Sequence, residues 1–62
     1  MTFYIYKDRA EEYRWKLKSN NGKITADSGE GYVAKQGVKY AIDFIQKYAS
    51  SAKIVDLTIP RA

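Results

Sequence analysis

The chain has 62 residues and a formal net charge of +4, with 11 Lys and Arg against 7 Asp and Glu. This length allows one domain, residues 1–62, with no second core. There is no Cys and no His, which excludes a disulfide and removes the commonest zinc ligands, nucleophiles and general bases. We therefore expect no metal, no cofactor and no enzymatic activity.

The N-terminal sequence MTFYIYKDRAEE lacks the basic flank and apolar run of a signal peptide. No apolar stretch approaches the length needed to cross a membrane, so we expect a cytoplasmic protein without membrane contact. A modest positive charge favours anionic partners weakly and equally explains solubility.

Two strands are predicted in the first third of the chain. Residues 3–7 (FYIYK) place Phe3 and Ile5 on one face and two tyrosines on the other. Residues 13–18 (YRWKLK) alternate cleanly, with the apolar side chains inward and Arg14, Lys16 and Lys18 outward.

A third strand is predicted over residues 23–27, after Asn21-Gly22. Asn-Gly tolerates the two successive positive φ angles of a type I′ turn, so we expect a tight hairpin there. Ile24 and Ala26 are then expected to face inward, on the side of Trp15.

The apolar period changes to a helical one over residues 34–49. The predicted helix has one apolar stripe, which flanking aromatic residues widen. The stripe contains Val38, Ala41, Ile42, Ile45 and Ala49. Residues 53–59 alternate again, with Val55, Leu57 and Ile59 on one face, and predict a fourth strand that ends at Pro60.

These elements predict an α+β fold, an antiparallel three-strand meander followed by one helix and a fourth strand, with the helix packed on the sheet. The expected core collects the inward positions of the strands and the helix stripe: Phe3, Ile5, Trp15, Leu17, Ile24, Val38, Ile42, Ile45 and Leu57.

The chain contains four short motifs: YKD at 6–8, EYRWKLK at 12–18, NGKI at 21–24 and SGEGY at 28–32 with Lys35. Together they resemble the YegP-like family of small bacterial and archaeal proteins, which is of uncharacterised function. The resemblance implies the same strand–strand–strand–helix–strand unit. It also implies that single-unit members pair as homodimers, since some members carry two units in tandem.

Two positions depart from the family pattern. Glu11 stands where the family usually has Gly, and Ala34 where it usually has a Ser at the helix N-cap. The first departure raises the question of a positive φ angle at Glu11. Neither position touches a catalytic motif, because the resemblance offers none.

The stretch SGEGY before the helix is a candidate anion-binding turn, with Gly29, Gly31 and Lys35 as the residues concerned. Backbone N–H groups at a helix N-terminus attract phosphate. The spacing fits neither a P-loop nor a dinucleotide fingerprint, and Glu30 adds a negative charge. The alternative is that both glycines only let the chain swing from the third strand to the helix.

The outward face of the first two strands is a candidate nucleic-acid face, formed by Tyr4, Tyr6, Arg14, Lys16 and Lys18. Aromatic rings that stack on bases, beside cations that meet the backbone, are typical of single-strand binders. The alternatives are a solvated face with Lys and Arg stems lying over the tyrosine rings, or a face that a partner protomer covers.

The sequence thus favours a homodimeric binding or interaction module with an unknown ligand. A weak, mainly electrostatic single-stranded nucleic-acid binder is the alternative. An enzyme whose site forms across a dimer is a distant third.

Overall fold

The computed structural model describes residues 1–59. Strands β1 (Thr2–Lys7), β2 (Tyr13–Lys18) and β3 (Ile24–Asp27) are followed by helix α1 (Lys35–Tyr48) and a 3-10 turn (Ala49–Ser51). The strands form one antiparallel sheet in the order β1-β2-β3. The three-strand meander and the α+β class are therefore confirmed.

The loop between β1 and β2 is built around the Asp8 carboxylate. Its Oδ1 accepts hydrogen bonds from the backbone N–H groups of Ala10 (2.8 Å) and Glu12 (3.1 Å). Its Oδ2 accepts one from Arg14 Nε at 2.6 Å. Because the N–H of Glu11 also donates to the Asp8 carbonyl, the chain turns within four residues, and Glu11 takes a φ of 63°.

The hairpin between β2 and β3 is not the predicted type I′ turn. That turn needs positive φ at both central residues, and here Gly22 has one (84°) while Asn21 does not. The N–H of Gly22 donates to the Ser19 carbonyl, and the N–H of Ser19 to the Lys23 carbonyl, which closes a three-residue loop. The Asn21 side chain supports this loop by accepting hydrogen bonds from Ser19 Oγ and the Lys23 N–H.

The predicted inward position of Ile24 is wrong, because a β-bulge interrupts the pairing of β2 with β3. The register pairs Leu17 with Ala26 but Lys18 with Ile24, so β3 has one extra residue there. The alternation of inward and outward side chains shifts by one residue at this point. Ile24 therefore pairs with Lys18, whose side chain lies on the outer face. The Ile24 side chain is exposed instead of lying in the core.

The core is smaller than predicted. Val38 is fully buried and Trp15 nearly so, with the Phe3 ring edge-on to the indole at 5.5 Å. Phe3, Leu17, Ile42 and Ile45 are half-buried. Ile5 is exposed although it pairs with Trp15, because β1 is an edge strand and α1 approaches the sheet at β2.

Residues 53–59 form no ladder with the three strands described. Ala52 leaves the 3-10 turn in an extended conformation (φ −68°, ψ 140°), and Leu57 stays 89% exposed instead of joining the core. Asp56 Oδ1 accepts from the N–H and hydroxyl of Thr58, which makes a local turn where the alternating pattern predicts a strand. The fourth strand, and the packing of α1 across the whole sheet, stay predictions.

Candidate interaction surfaces

The outer face of the sheet brings together all five residues of the candidate nucleic-acid face. The register sets Tyr4 opposite Lys16 and Tyr6 opposite Arg14, so these side chains share one face. Lys18 precedes the bulge and pairs with Thr2 on the same face. Both tyrosines are exposed.

The cations of this face are already engaged within the chain. Lys16 Nζ lies 5.0 Å from the Tyr6 ring centroid, and Lys18 Nζ lies 5.6 Å from that of Tyr4, both within cation–π range. A base stacking on either ring must first displace a lysine. The geometry therefore matches the alternative in which long lysine side chains lie over the rings.

Arg14 is held still more firmly, by Asp8. The Arg14 hydrogen bond, with the backbone N–H groups of Glu12 and Ala10, keeps the pKa of the Asp8 carboxyl below its ordinary value. The same hydrogen bond raises the pKa of Arg14. A phosphate approaching Arg14 would have to compete with this carboxylate, so Lys16 and Lys18 are the more available charges.

The glycine turn after β3 has an acidic side chain beside it. The Glu12 side chain lies against Gly31, where an added Cβ would come within 2.8 Å of Glu12 Cβ. Lys35 Nζ lies 5.9 Å from the Tyr13 ring centroid. Glu12 thus lies against the turn and Glu30 stands within it in the sequence, and anion binding by Gly29, Gly31 and Lys35 stays a prediction.

Ser28 is a structural residue of this turn that the sequence reasoning missed. It is buried, its N–H donates to the Trp15 carbonyl at 2.9 Å, and its Oγ accepts from the Trp15 N–H at 3.2 Å. Four residues later, Tyr32 exchanges two backbone hydrogen bonds with Tyr13, both 2.8 Å. The sequence contained a signal for this position: Ser28 lies two residues after Ala26, and alternate residues of a strand point to the same face.

The apolar groove is the second candidate surface, and the sequence did not predict it as a site. It has a volume of about 560 Å³ and lies between the end of β3 and α1. We define it by six lining residues: Trp15, Ser28, Tyr32, Tyr40, Phe44 and Ile45. Tyr40 and Phe44 stay 73% and 58% exposed, so apolar surface lines an open groove.

The described residues hold no group of three or more Asp, Glu, His or Cys arranged to hold a metal ion. Within the same part of the chain, no helix is long and apolar enough to cross a membrane.

Comparison with known proteins gives the family. Residues 8–56 match the model described as a domain of unknown function, DUF1508. A UPF0339 protein of Neisseria meningitidis serogroup B is 40% identical over 92% of this chain and 100% of its own. One from Agrobacterium fabrum is 46% identical over 90% of this chain and 89% of its own.

Two solved structures have the same fold. A solution NMR structure of a protein from Haloferax volcanii matches with a TM-score of 0.83 at 42% identity, over 89% of this chain and 92% of that one. One from Agrobacterium tumefaciens matches with a TM-score of 0.75 at 44% identity, over 92% and 90%. The resemblance to YegP-like proteins is confirmed, and the chain belongs to the DUF1508 (UPF0339) family of domains of unknown function.

Proposed function

We propose that this domain acts as a homodimeric binding or interaction module, in which a second copy of the chain covers the apolar groove. In this proposal α1 packs over the sheet around Val38 and Trp15, and the pairing completes the small core. The ligand of the assembled module is unknown. The proposal keeps the expectations that the protein is cytoplasmic and not an enzyme.

The observation that carries the proposal is the amount of surface left open. The chain exposes 5469 Å². A folded monomer of 7.1 kDa is expected to expose about 4,100 Å². The excess of about 1,400 Å² per chain is larger than the roughly 800 Å² that each partner buries in a standard interface.

The chemistry of the open surface supports the same proposal. Tyr40, Phe44 and Tyr48 lie along one flank of α1, and all three are exposed. The Phe44 and Tyr48 rings pack on each other with centroids 4.8 Å apart. Aromatic residues are enriched at interface cores, where they contribute much of the binding energy.

Sedimentation equilibrium tests the proposal with a matched pair of variants. The wild type should sediment as a dimer at tens of micromolar. Phe44→Asp adds a charge within the groove and should shift the protein to monomer, whereas Gln46→Asp adds the same charge to another face of α1 and should leave the dimer intact. A wild-type monomer at these concentrations would contradict the proposal.

A second candidate function is weak, electrostatic binding of single-stranded nucleic acid at the outer face. The observation in its favour is the grouping of exposed Tyr4 and Tyr6 with Lys16 and Lys18 on one side of the sheet. Rings and cations in this arrangement can track a strand with little sequence preference.

Fluorescence anisotropy with a labelled oligonucleotide tests this candidate. Lys16→Gln with Lys18→Gln should weaken binding and flatten its salt dependence, while Lys39→Gln with Lys47→Gln, on the helix, should do neither. Tyr4→Ala and Tyr6→Ala should each cost about 1–3 kcal/mol of binding with the salt dependence kept. Equal loss from both lysine pairs would reduce the binding to nonspecific attraction by net charge.

A further inference from the structure

We propose that Asn21 is a site of spontaneous modification, where the side-chain amide converts through a succinimide to aspartate or isoaspartate, and that the closed hairpin between β2 and β3 slows this reaction. Water is the reagent that is consumed. The inference goes beyond both proposed functions, since it draws on neither the homodimer nor the nucleic-acid face.

Asn21 is followed by the residue that favours this chemistry most. The reaction begins when the backbone nitrogen of the next residue attacks the side-chain carbonyl carbon, Cγ, and a Cβ on that next residue obstructs the approach. Gly22 has no Cβ, and nothing lies within 4 Å of the place where one would stand. Asn21 and Gly22 are both exposed, so water and hydroxide reach them.

The steps balance with one water consumed and one ammonia released. Hydroxide removes the proton of the Gly22 N–H, and the nitrogen forms a bond to Asn21 Cγ. The bond from Cγ to Nδ2 then breaks, and Nδ2 takes a proton from water and leaves as ammonia, which regenerates hydroxide. Water adds to one of the two ring carbonyls of the succinimide. Opening one C–N bond of the ring gives aspartate, and opening the other gives isoaspartate.

The closed hairpin holds both reacting groups. The Gly22 N–H, whose proton must leave, donates to the Ser19 carbonyl at 2.9 Å. Asn21 Oδ1 accepts from the Lys23 N–H at 3.2 Å and from Ser19 Oγ, which fixes the side-chain amide. Attack therefore requires the loop to open. Since each hydrogen bond adds a modest net stability, losing them together should slow the reaction on the order of tenfold.

Asn20 is an internal control, because it is the other asparagine of the chain and is exposed in the same loop. Its successor is Asn21, whose Cβ obstructs the attack. Its own Oδ1 accepts a hydrogen bond from the N-terminal ammonium of Met1 at 2.7 Å. The proposal therefore assigns the modification to Asn21 and expects little at Asn20.

The two products should affect the hairpin differently. Aspartate keeps a side-chain oxygen that can accept the hydrogen bonds now made to Asn21 Oδ1. Isoaspartate adds one carbon to the main chain of the loop. This lengthens the path between the bonds that close the hairpin, from Gly22 to the Ser19 carbonyl and from Ser19 to the Lys23 carbonyl. The isoaspartate form should therefore weaken the pairing of β2 with β3.

Mass spectrometry of the incubated chain tests both the site and the effect of the hairpin. The full chain is held at mildly alkaline pH, once native and once unfolded in guanidinium chloride, and trypsin then releases residues 19–23 as one peptide. Electron-transfer fragmentation locates the change and separates isoaspartate from aspartate. Asn21 should convert to both products, at least about tenfold faster in the unfolded sample. Equal rates would overturn the role of the hairpin. An unreactive Asn21 in denaturant, or equal conversion at Asn20, would overturn the site.

A matched pair of variants tests the hold on the side chain. Ser19→Ala removes one donor to Asn21 Oδ1, and should raise the native rate about threefold while leaving the rate in denaturant unchanged. Ser51→Ala removes a hydroxyl that donates to the Tyr48 carbonyl, outside the hairpin, and should change neither rate. A native rate that is unchanged or lower in Ser19→Ala would contradict the restraint, because the hydroxyl would then be idle or would activate the carbonyl.

Thermal unfolding compares the two products. The purified isoaspartate form should melt below the wild type, whereas Asn21→Asp, which reproduces the other product, should melt close to it. Equal melting temperatures for the isoaspartate form and Asn21→Asp would overturn the expected effect on the hairpin.

Discussion

Glu11 holds a left-handed backbone, with φ at 63°, at the end of the loop that joins β1 and β2. That conformation costs a residue with a Cβ roughly 1–2 kcal/mol and costs glycine almost nothing. The Glu11 side chain contributes little stability to offset this cost, because its ion pair with Lys7, at 3.6 Å, is largely exposed.

Glu11→Gly should therefore stabilise the protein by about 0.5–1 kcal/mol, after the larger unfolded-state entropy of glycine is subtracted. Urea unfolding measures the difference. Glu11→Ala is the matched control: it loses the same ion pair but keeps a Cβ, and should bring no gain. A loss of about 1 kcal/mol in the glycine variant would show that Glu11 is relaxed where it stands.

The Asp8–Arg14 pair gives the protein a dependence on pH. Because the folded pKa of Asp8 lies below its unfolded value, about 3.9, this carboxylate stabilises the fold fully above that pH. The contribution is lost as pH falls through the folded pKa. Asp8→Asn keeps an oxygen for the N–H groups of Ala10 and Glu12 but loses the ionised partner of Arg14.

Urea midpoints at pH 7 and pH 3 test this assignment. The wild type should be the more stable protein at pH 7. The gap to Asp8→Asn should narrow at pH 3, because this pH lies below the unfolded pKa of about 3.9 and protonation of Asp8 then favours the unfolded state. A gap that is the same at both pH values would show that the charge of Asp8 plays no part.

Gly29 and Gly31, in the segment between β3 and α1, provide a comparison at the level of the element. An alanine at Gly31 would collide with Glu12, and should cost about 1–3 kcal/mol as an overpacked site does. An alanine at Gly29 meets nothing within 4 Å, and its φ is not positive, so it should be neutral or slightly stabilising. Thermal unfolding of both variants measures the contrast, and equal melting temperatures would contradict it.

Trp15 lies in the middle of β2, the strand that α1 approaches. Its side chain is buried, and the Phe3 ring packs edge-on against the indole. Trp15→Ala should cost roughly 3–5 kcal/mol, enough to unfold so small a domain. Far-ultraviolet circular dichroism on heating checks this, and a cooperative melt close to that of the wild type would contradict it.

The sequence predicted the elements whose pattern is local. The alternation in β2 gave the phase of Trp15 and of the outward cations, and the change to a helical period gave α1 within one residue at each end. The family resemblance, in which Gly usually stands at position 11, raised the positive φ angle that Glu11 adopts. The alternation in β2 and the helical period of α1 depend only on the spacing of side chains along a single element.

What failed depended on contacts between elements. Asn21 supports the hairpin with its side chain rather than with a positive φ, and the bulge turns Ile24 out of the core. The groove could not be predicted, because it forms only where α1 and the turn at Ser28 stand apart. Residues 53–59 alternate like a strand, but an alternating pattern does not by itself supply the open sheet edge that a strand needs for pairing.

At the scale of the molecule, the chain exposes more surface than is expected of a compact domain of its mass. Exposed apolar side chains lie on residues 53–59, in the groove and on the helix flank. With no disulfide available, the proposed second copy would supply the stability that so small a core lacks. Folding and pairing should then be coupled, so stability depends on protein concentration.

Thermal unfolding over about a hundredfold range of protein concentration tests the homodimer most directly. If folding and pairing are coupled, the melting temperature should fall by several degrees on dilution, while Phe44→Asp should melt lower and depend much less on concentration. A wild-type melting temperature that does not change on dilution, together with a monomer in sedimentation at tens of micromolar, would contradict the account.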